Sequence, residues 1–293
     1  MHHFWSPSDS VIPYTKPTTC LLILNGTWSC TIPSGYTYDQ VRNVVTTCGA
    51  GTHPQYHLRI PADNLWACNV VTGYTYDNVV SSTTCGGSPY SYHNRVPQDQ
   101  LWACTTVAKF VYDEVKSGPC AVGVGTPTVT MYHLRTLSDG LWSCTQEATG
   151  FTYDQVSNTN ECALGATVVR FHLRQLKDSL WSCSEVSGYV YDQIESSSVC
   201  AITGTNPAYH LRVPVDGLWS CSYGPGISLT YDEVSTASVC SLTAGVGELR
   251  YHLRVPTVGL WACMVPSGWH YSSEKEETIC SLGQPSVEYQ LSK

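Results

Sequence analysis

The chain is poor in charge and in the residues that usually build helical cores. Of its 293 residues, 13% are charged, and only four are Phe and three are Met. No apolar run approaches the roughly 18 residues of a membrane-spanning helix. The net charge of −8 comes without the clustered Lys and Arg of a nucleic-acid surface. The composition therefore predicts neither a membrane span nor a nucleic-acid partner.

Motifs for catalysis and for cofactors are also missing. The sequence contains no G-x-S-x-G, no H-E-x-x-H and no glycine-rich phosphate loop. Its cysteines form no C-x2-C pair of the kind that binds zinc. We therefore expect a protein that is not an enzyme and that has neither a metal site nor a cofactor.

What the chain does have is repetition. The element Trp-x-Cys occurs seven times at spacings of 36 to 42 residues, at Trp28, Trp66, Trp102, Trp142, Trp181, Trp219 and Trp261. Self-similarity at this period is the signature of a propeller or another repeat array. The 19 Tyr and 23 Gly residues favour short strands joined by tight turns.

Four short strands are predicted in each unit. They are the YHLR stretch, the LW[AS]C stretch, the GYTYD-x-V stretch and the run around a second Cys, although D-x-V could instead begin a helical turn. Seven such units favour an all-β fold, a seven-bladed β-propeller with one disulfide in each blade. An open array of disulfide-stapled β-units is the alternative.

The repeats place one domain over residues 18–293, preceded by an arm or cap at residues 1–17. We expect residues 286–293 to form a closing strand, because they match YHLR in spacing while the first unit has only TTCLLIL there. The units are predicted near residues 18–48, 56–85, 92–120, 132–162, 171–200, 209–240 and 251–280.

Fourteen of the fifteen cysteines fall into one pair per unit, 16 to 19 residues apart. The predicted disulfides are Cys30–Cys48, Cys68–Cys85, Cys104–Cys120, Cys144–Cys162, Cys183–Cys200, Cys221–Cys240 and Cys263–Cys280. Disulfides indicate an oxidising compartment, and hence a secreted or surface protein. Free thiols are the alternative. The fifteenth, Cys20, is predicted to be a buried thiol or to bond to another chain.

Polar residues recur in register with the cysteines. Six of the seven GYTYD stretches have an Asp after the second Tyr, and the seventh unit has Ser272 there instead. The YHLR stretch that follows this seventh unit reads YQLS, so Gln290 and Ser292 replace the His and the Arg. Because these losses coincide, we predict that each Asp pairs with the Arg or His of the following YHLR. The Asp–Arg pairs are Asp39–Arg59, Asp77–Arg95, Asp113–Arg135, Asp154–Arg174, Asp192–Arg212 and Asp232–Arg254.

Two interpretations of these six polar sets are open. They could be equivalent sites that bind a hydroxylated ligand, or ion pairs that join neighbouring units, with each His bonded to a backbone carbonyl. We favour the second, since Arg forms strong pairs with carboxylates in partly buried settings. The Trp row is likewise predicted to be core, packed against the disulfides.

Better ligand candidates are the first aromatic residues of the GYTYD stretches, which follow a turn. Aromatic rings near Asp and Asn are suited to sugars, because ring faces pack on C–H groups while carboxylates and amides bind hydroxyls. Buried aromatics in the same position are the alternative. The predicted ligand-binding residues are Tyr36, Tyr74, Phe151, Tyr189 and Trp269.

Through its LW[AS]C and G[YF][TV]YD elements with one cysteine pair per unit, the chain resembles secreted disulfide-stapled repeat lectins of the β-propeller type over residues 18–293. The resemblance implies a multivalent carbohydrate-binding protein, or the targeting subunit of a larger assembly, with glycans bound between blades. The alternative is a structural or adhesive extracellular protein that binds other proteins or self-assembles, for instance through Cys20.

Overall fold

A computed structural model describes residues 24–121, 129–146, 149–223 and 228–293. The predictions for residues 1–17, the start of the first unit and Cys20 lie outside these residues. Contacts divide the chain into two bodies, one holding repeats 1 and 2 and the other most of repeat 3 with repeats 4 to 7. No helix in the described ranges is long and apolar enough to cross a membrane.

Seven antiparallel sheets of three strands make up the described chain, and each sheet defines one repeat. In chain order a repeat has a short Trp strand, a long Asp strand and a long His strand, with the His strand in the middle of the sheet. The all-β class and the tandem repeats are thus confirmed. The predicted fourth strand is wrong, because the described residues around each second Cys form turns or a short 3-10 helix, Ser238–Cys240.

The Trp strands contain the Trp-x-Cys elements. They are β1 (Trp28–Ser29), β4 (Leu65–Ala67), β7 (Trp102–Ala103), β10 (Trp142–Ser143), β13 (Leu180–Ser182), β16 (Trp219–Ser220) and β19 (Trp261–Ala262). The Asp strands contain the D-x-V stretches. They are β2 (Thr37–Val45), β5 (Thr75–Ser81), β8 (Phe110–Gly118), β11 (Phe151–Thr159), β14 (Val190–Ser197), β17 (Thr230–Ala237) and β20 (His270–Glu277).

The His strands contain the YHLR stretches. They are β3 (Thr52–Arg59), β6 (Tyr90–Arg95), β9 (Val129–Thr136), β12 (Val168–Gln175), β15 (Asn206–Arg212), β18 (Glu248–Arg254) and β21 (Ser286–Ser292). Each YHLR stretch therefore ends a sheet, whereas the predicted units began with it. The last strand, β21, pairs with β19 and β20 of its own repeat, so it does not serve as a closing strand for the first unit.

The predicted disulfides are confirmed and have a second role in the fold. Six bonds join the predicted partners, and Cys104 and Cys120 are disulfide-bonded as well. At five junctions the first Cys of a repeat donates its backbone N–H to a Tyr carbonyl on the Asp strand of the preceding repeat. These bonds are Cys68 to Tyr38, Cys144 to Tyr112, Cys183 to Tyr153, Cys221 to Tyr191 and Cys263 to Tyr231.

The second Cys brings another hydrogen bond to the same edge. In repeat 5 the carbonyl of Val199, the residue before the second Cys, accepts the N–H of Val156 of repeat 4 at 2.8 Å. In repeat 2 the carbonyl of Thr84 likewise accepts the N–H of Val41 of repeat 1 at 2.7 Å. The disulfide thus holds together two short segments that pair with the exposed edge of the sheet before it. Because unpaired strand edges are otherwise open to aggregation, this docking also protects them.

The apolar core is thin and is shared between neighbours. One Leu on the central strand of most repeats is at most 1% exposed, as Leu173 and Leu253 show. Leu173 packs with Leu141 of its own repeat and Val111 of repeat 3. Leu253 likewise packs with Val190 of repeat 5. Repeats 4 and 6 therefore complete their cores with the sheet before them.

Repeat 2 has a polar residue in this core position. Asn94 is fully buried, and its side chain accepts the N–H of Val71 and donates to the carbonyls of Asn69 and Tyr92. A buried amide is tolerated because its oxygen and nitrogen are both bonded.

Removing one staple should loosen the repeat before it. In the double variant Cys183→Ala/Cys200→Ala we expect a loss of about 3 kcal/mol in unfolding free energy. We also expect faster amide exchange at Val156, whose N–H bonds to Val199. Hydrogen-exchange mass spectrometry or NMR measures both.

The matched control is Cys263→Ala/Cys280→Ala, which removes the staple of repeat 7. It should expose Val234, which bonds to Ile279, and leave Val156 protected. Unchanged protection of Val156 in the first variant would contradict the docking role.

Candidate functional site

The recurring polar network is built around a β-bulge. Wherever the register of the Asp and His strands is defined, it shifts at the Asp, as between Tyr153 and Gln155 in repeat 4, or at Ser272 in repeat 7. A bulge inserts an unpaired residue and redirects its side chain. Asp154 therefore shares a face with His172 and Arg174, which are two residues apart on a strand and so point the same way.

One carboxylate binds both neighbours. In repeat 4, Asp154 Oδ1 lies 2.6 Å from His172 Nδ1 and Oδ2 accepts Arg174 Nη1 at 2.6 Å. The same arrangement occurs at Asp39, Asp77, Asp113, Asp192 and Asp232. The structure thus brings together every predicted Asp–Arg pair. The pairs lie within one sheet, whereas the prediction had them joining neighbouring units.

A second Asp, which the sequence analysis did not assign to the network, completes it. Asp139 lies in the turn before the Trp strand and accepts Arg174 Nε at 2.9 Å and the N–H of Gln175 at 2.9 Å. The same position holds Asp63, Asp99, Asp178 and Asp216. The signal was present as an Asp repeated in the P-x-D-G type of turn, three residues before the Trp of repeats 2 to 6.

Seventh-repeat residues differ at every position of this network. Ser272, Gln290 and Ser292 stand where repeats 1 to 6 have the bulge Asp, the His and the Arg, and Val258 stands where repeats 2 to 6 have the turn Asp and repeat 1 has Asn25. Ser272 Oγ donates to Gln290 Oε1 at 3.3 Å instead. Its Asp strand, β20, is exposed at all eight residues. The network is therefore absent from repeat 7, whose Asp strand is exposed along its whole length.

Tryptophan rings extend the network on the same face. In repeats 1 to 6 the Trp lies directly opposite the network His on the neighbouring strand, as Trp142 does opposite His172. The centroids of the two rings are 4.8 to 5.3 Å apart. The predicted core position of the Trp row is not what the structure shows, because none of these rings is fully buried. Only Trp66, 37% exposed, counts as exposed among these rings in the described chain.

The predicted ligand-binding aromatics lie apart from the polar network. Tyr36, Tyr74, Phe151, Tyr189 and Trp269 are all half-buried at the end of a turn. In four of them the N–H closes the turn, as from Tyr189 to Val186 at 3.0 Å. Phe151 packs against the core of Val111, Leu141 and Leu173, and Lys293 Nζ lies 4.9 Å above the Trp269 ring. The structure does not gather these residues into one site.

A groove opens beside the network between repeats 3 and 4. Its volume is about 320 Å³, and it is lined by Asp113, Glu114, Arg135, Gly140, Leu141, Trp142, Glu161 and Arg170. Arg170 Nη1 donates to Glu161 at 2.8 Å, and the Arg170 guanidinium lies 4.8 Å from the Trp142 ring centroid. Within the described residues no cluster of three or more His, Cys, Asp or Glu is arranged to hold a metal ion.

Comparison with known proteins finds one partial similarity. The family model of the PBCV-1 P7 disulphide-bonded subdomain matches residues 130–165. This stretch runs from the His strand of repeat 3 through the Trp and Asp strands of repeat 4, and it holds the Cys144–Cys162 staple. No curated protein and no solved structure matches the chain. The similarity therefore concerns a single stapled unit.

Replacing Asp154 by Asn should destabilise the chain by about 2 to 3 kcal/mol, because it weakens hydrogen bonds to two groups that carry or can carry charge. Urea unfolding at pH 7 measures the change. Ser272→Asp in repeat 7 is the matched control and should change stability by less than about 0.5 kcal/mol, since Gln290 and Ser292 offer no cation. Equal stability of Asp154→Asn and the parent chain would contradict a structural role.

Acid should weaken the network through its turn carboxylates. The Arg174 hydrogen bond, followed by the N–H of Gln175, lowers the pKa of Asp139 below its ordinary 3.8. The pKa values of Asp63, Asp99, Asp178 and Asp216 are also lowered, in each case chiefly by a backbone N–H. A carboxyl group with a lowered folded-state pKa stabilises the fold above its unfolded pKa, and this stabilisation is lost as pH falls through the folded value.

We therefore expect the melting temperature to be steady above about pH 5 and to fall below about pH 4. Thermal unfolding followed by circular dichroism between pH 7 and pH 2.5 tests this. Asp139→Asn should shrink the acid-induced fall, because one of the titrating groups is removed. A fall of the same size in that variant would rule out a contribution from Asp139.

Proposed function

We propose that the chain is a structural or adhesive protein of an oxidising, extracellular compartment, in which stapled repeats form a stiff support that other proteins bind. The observation that carries this proposal is the docking of a staple on the preceding sheet at five junctions. A repeat array stabilised by nearest-neighbour contacts is suited to spanning distance and presenting a long surface. The disulfides support an oxidising compartment.

The use of the polar groups also supports a structural role. Both oxygens of each bulge Asp are bonded to side chains of the same sheet, and Arg174 is held by two carboxylates. The Trp142 ring is half-buried and already contacts the His172 ring and the Arg170 guanidinium, so less of it is open to a sugar. Groups that are already paired within the fold offer little to a ligand.

Two architectures follow from the repeats, the predicted seven-bladed propeller and the open array. Closing a ring would require β20 to pair with another repeat. All eight residues of β20 are exposed, and Glu274, Glu276 and Glu277 lie on it with Lys275. Charged residues on an edge strand discourage further strand pairing. This edge supports the open array.

A lectin is the second candidate, favoured by the groove beside Asp113, Glu161 and Trp142. Carboxylates and guanidinium groups lining a groove can bind sugar hydroxyls. Because charged side chains make up most of the lining, a sugar there would be bound mainly by polar groups.

Small-angle X-ray scattering tests the architecture. A compact chain of this length has a radius of gyration of about 19 Å, and an open array should exceed this value clearly. A value near 19 Å would favour a closed ring and contradict the open array.

A glycan array tests the function. We expect no saturable glycan binding by the folded chain. Binding that is lost in Glu161→Gln, but kept in a control such as Glu276→Gln outside the groove, would contradict the structural proposal and support the lectin.

A further inference from the structure

Five of the seven tryptophans on the network face carry a cation of their own repeat over the ring. The distances from cation to ring centroid are 4.1 Å for Arg42 over Trp28, 3.8 Å for Lys116 over Trp102, 4.8 Å for Arg170 over Trp142, 4.4 Å for Arg250 over Trp219 and 4.8 Å for Lys275 over Trp261. A cation within about 6 Å of a ring centroid is attracted by the negative ring face.

These cations come from only two positions, which face each other across the sheet. One position lies three residues after the bulge position and holds Arg42, Lys116 or Lys275. The other lies two residues before the network His and holds Arg170 or Arg250. The Nε atoms of Arg170 and Arg250 are buried and have no hydrogen-bond partner. The ring face is therefore the main contact of that end of the guanidinium.

In repeats 2 and 5 neither of the two positions holds a basic residue. Val80 faces Ser91 in repeat 2, and Glu195 faces Ala208 in repeat 5. Within the described chain no cation lies over Trp66 or Trp181, although the ring of each contacts its network His as in the other repeats. Trp66 is also the most open of the network tryptophans, at 37% exposure.

Repeat 5 goes further and reverses the charge. Glu195 is exposed at the position where repeats 1, 3 and 7 have Arg or Lys, and Ala208 opposite it has no side chain long enough to cover the ring. Glu195 thus puts a carboxylate at the position from which Arg42, Lys116 and Lys275 reach their rings, in a repeat whose Trp carries no cation. A carboxylate and a Trp so placed supply the two attractions that bind a basic side chain, an ion pair and a cation–π contact.

We propose that Trp181 with Glu195 forms a binding site for an Arg or Lys side chain of a partner protein, and that Trp66 forms a weaker one. The partner's cation would occupy the place that the chain's own cation fills in five other repeats. The inference rests on the proposed role as a support for other proteins, and it gives the chemistry of the partner's contact.

NMR of the full-length, ¹⁵N-labelled protein tests the proposal through the indole N–H signals. The probe is N-acetylarginine methylamide at millimolar concentration, and the citrulline analogue is its uncharged isostere. Trp66→Phe and Trp181→Phe assign the two signals. We expect saturable shifts at Trp181 and smaller ones at Trp66, and little change at the five rings that carry their own cation.

The decisive variant is Glu195→Lys, which gives repeat 5 the residue type of Lys116 and Lys275. It should abolish the Trp181 shift and leave the Trp66 shift intact, while Glu195→Gln should weaken binding at Trp181 at least about threefold. Unchanged signals elsewhere show that each variant is folded. Parallel shifts of all tryptophans, an equal effect of the citrulline analogue, or a persistent Trp181 shift in Glu195→Lys would each overturn the proposal.

Failure here is separable from failure of the proposed function. The scattering and glycan-array measurements do not depend on Trp181. If the chain is extended and binds no glycan, but shows no cation binding at Trp181, the proposed structural role stands and only the cation site is disproved.

Discussion

The fold depends on one constraint, that a three-stranded unit of about 38 residues cannot bury a core of its own. Units of this size usually need disulfides, metals or neighbours, and this chain uses both disulfides and neighbours. In repeats 2, 4, 5 and 7 the staple fixes two segments whose backbone groups pair with the sheet before it, as Cys183 and Val199 do for repeat 4. The apolar contacts follow the same direction, since Val111 of repeat 3 completes the core around Leu173 of repeat 4. The disulfides within a repeat and the contacts between repeats therefore act together to stabilise this fold.

The Asp–His–Arg network solves a problem that the bulge creates. A bulge leaves one residue unpaired, and in repeats 1 to 6 that residue is an Asp whose two oxygens bind two side chains of the central strand. The Cys200 sulfur of the next staple lies 3.9 Å from the Asp154 carbonyl, so the docked disulfide covers the same point. Side-chain face and backbone edge of the bulge are thus both occupied. In the last repeat Ser272 stands at the bulge, and the strand that carries it is exposed, so this repeat lacks the carboxylate network.

Much of this could be predicted because seven copies in one chain act as a comparison among themselves. The joint loss of Asp, His and Arg in repeat 7 linked residues such as Asp154 and Arg174 without any structure. Sheet membership could not be predicted in this way, since a period of 38 residues has no marked beginning, and YHLR fits equally well as first or last strand. The partner of each Trp was also missed, because the sequence shows which residues alternate on a strand but not that Trp142 lies opposite His172. The candidate cation site needed the cross-strand register of Glu195 and Ala208.

The most direct test of this account is a disulfide map of the purified, unreduced chain by peptide mass spectrometry after alkylation of free thiols. The account predicts seven bonds, each within one repeat, such as Cys144–Cys162 and Cys183–Cys200. Bonds that run between repeats, or largely free thiols, would contradict it. The two segments that dock on the preceding sheet would then not be held together, and the stiffness of the array would need another source.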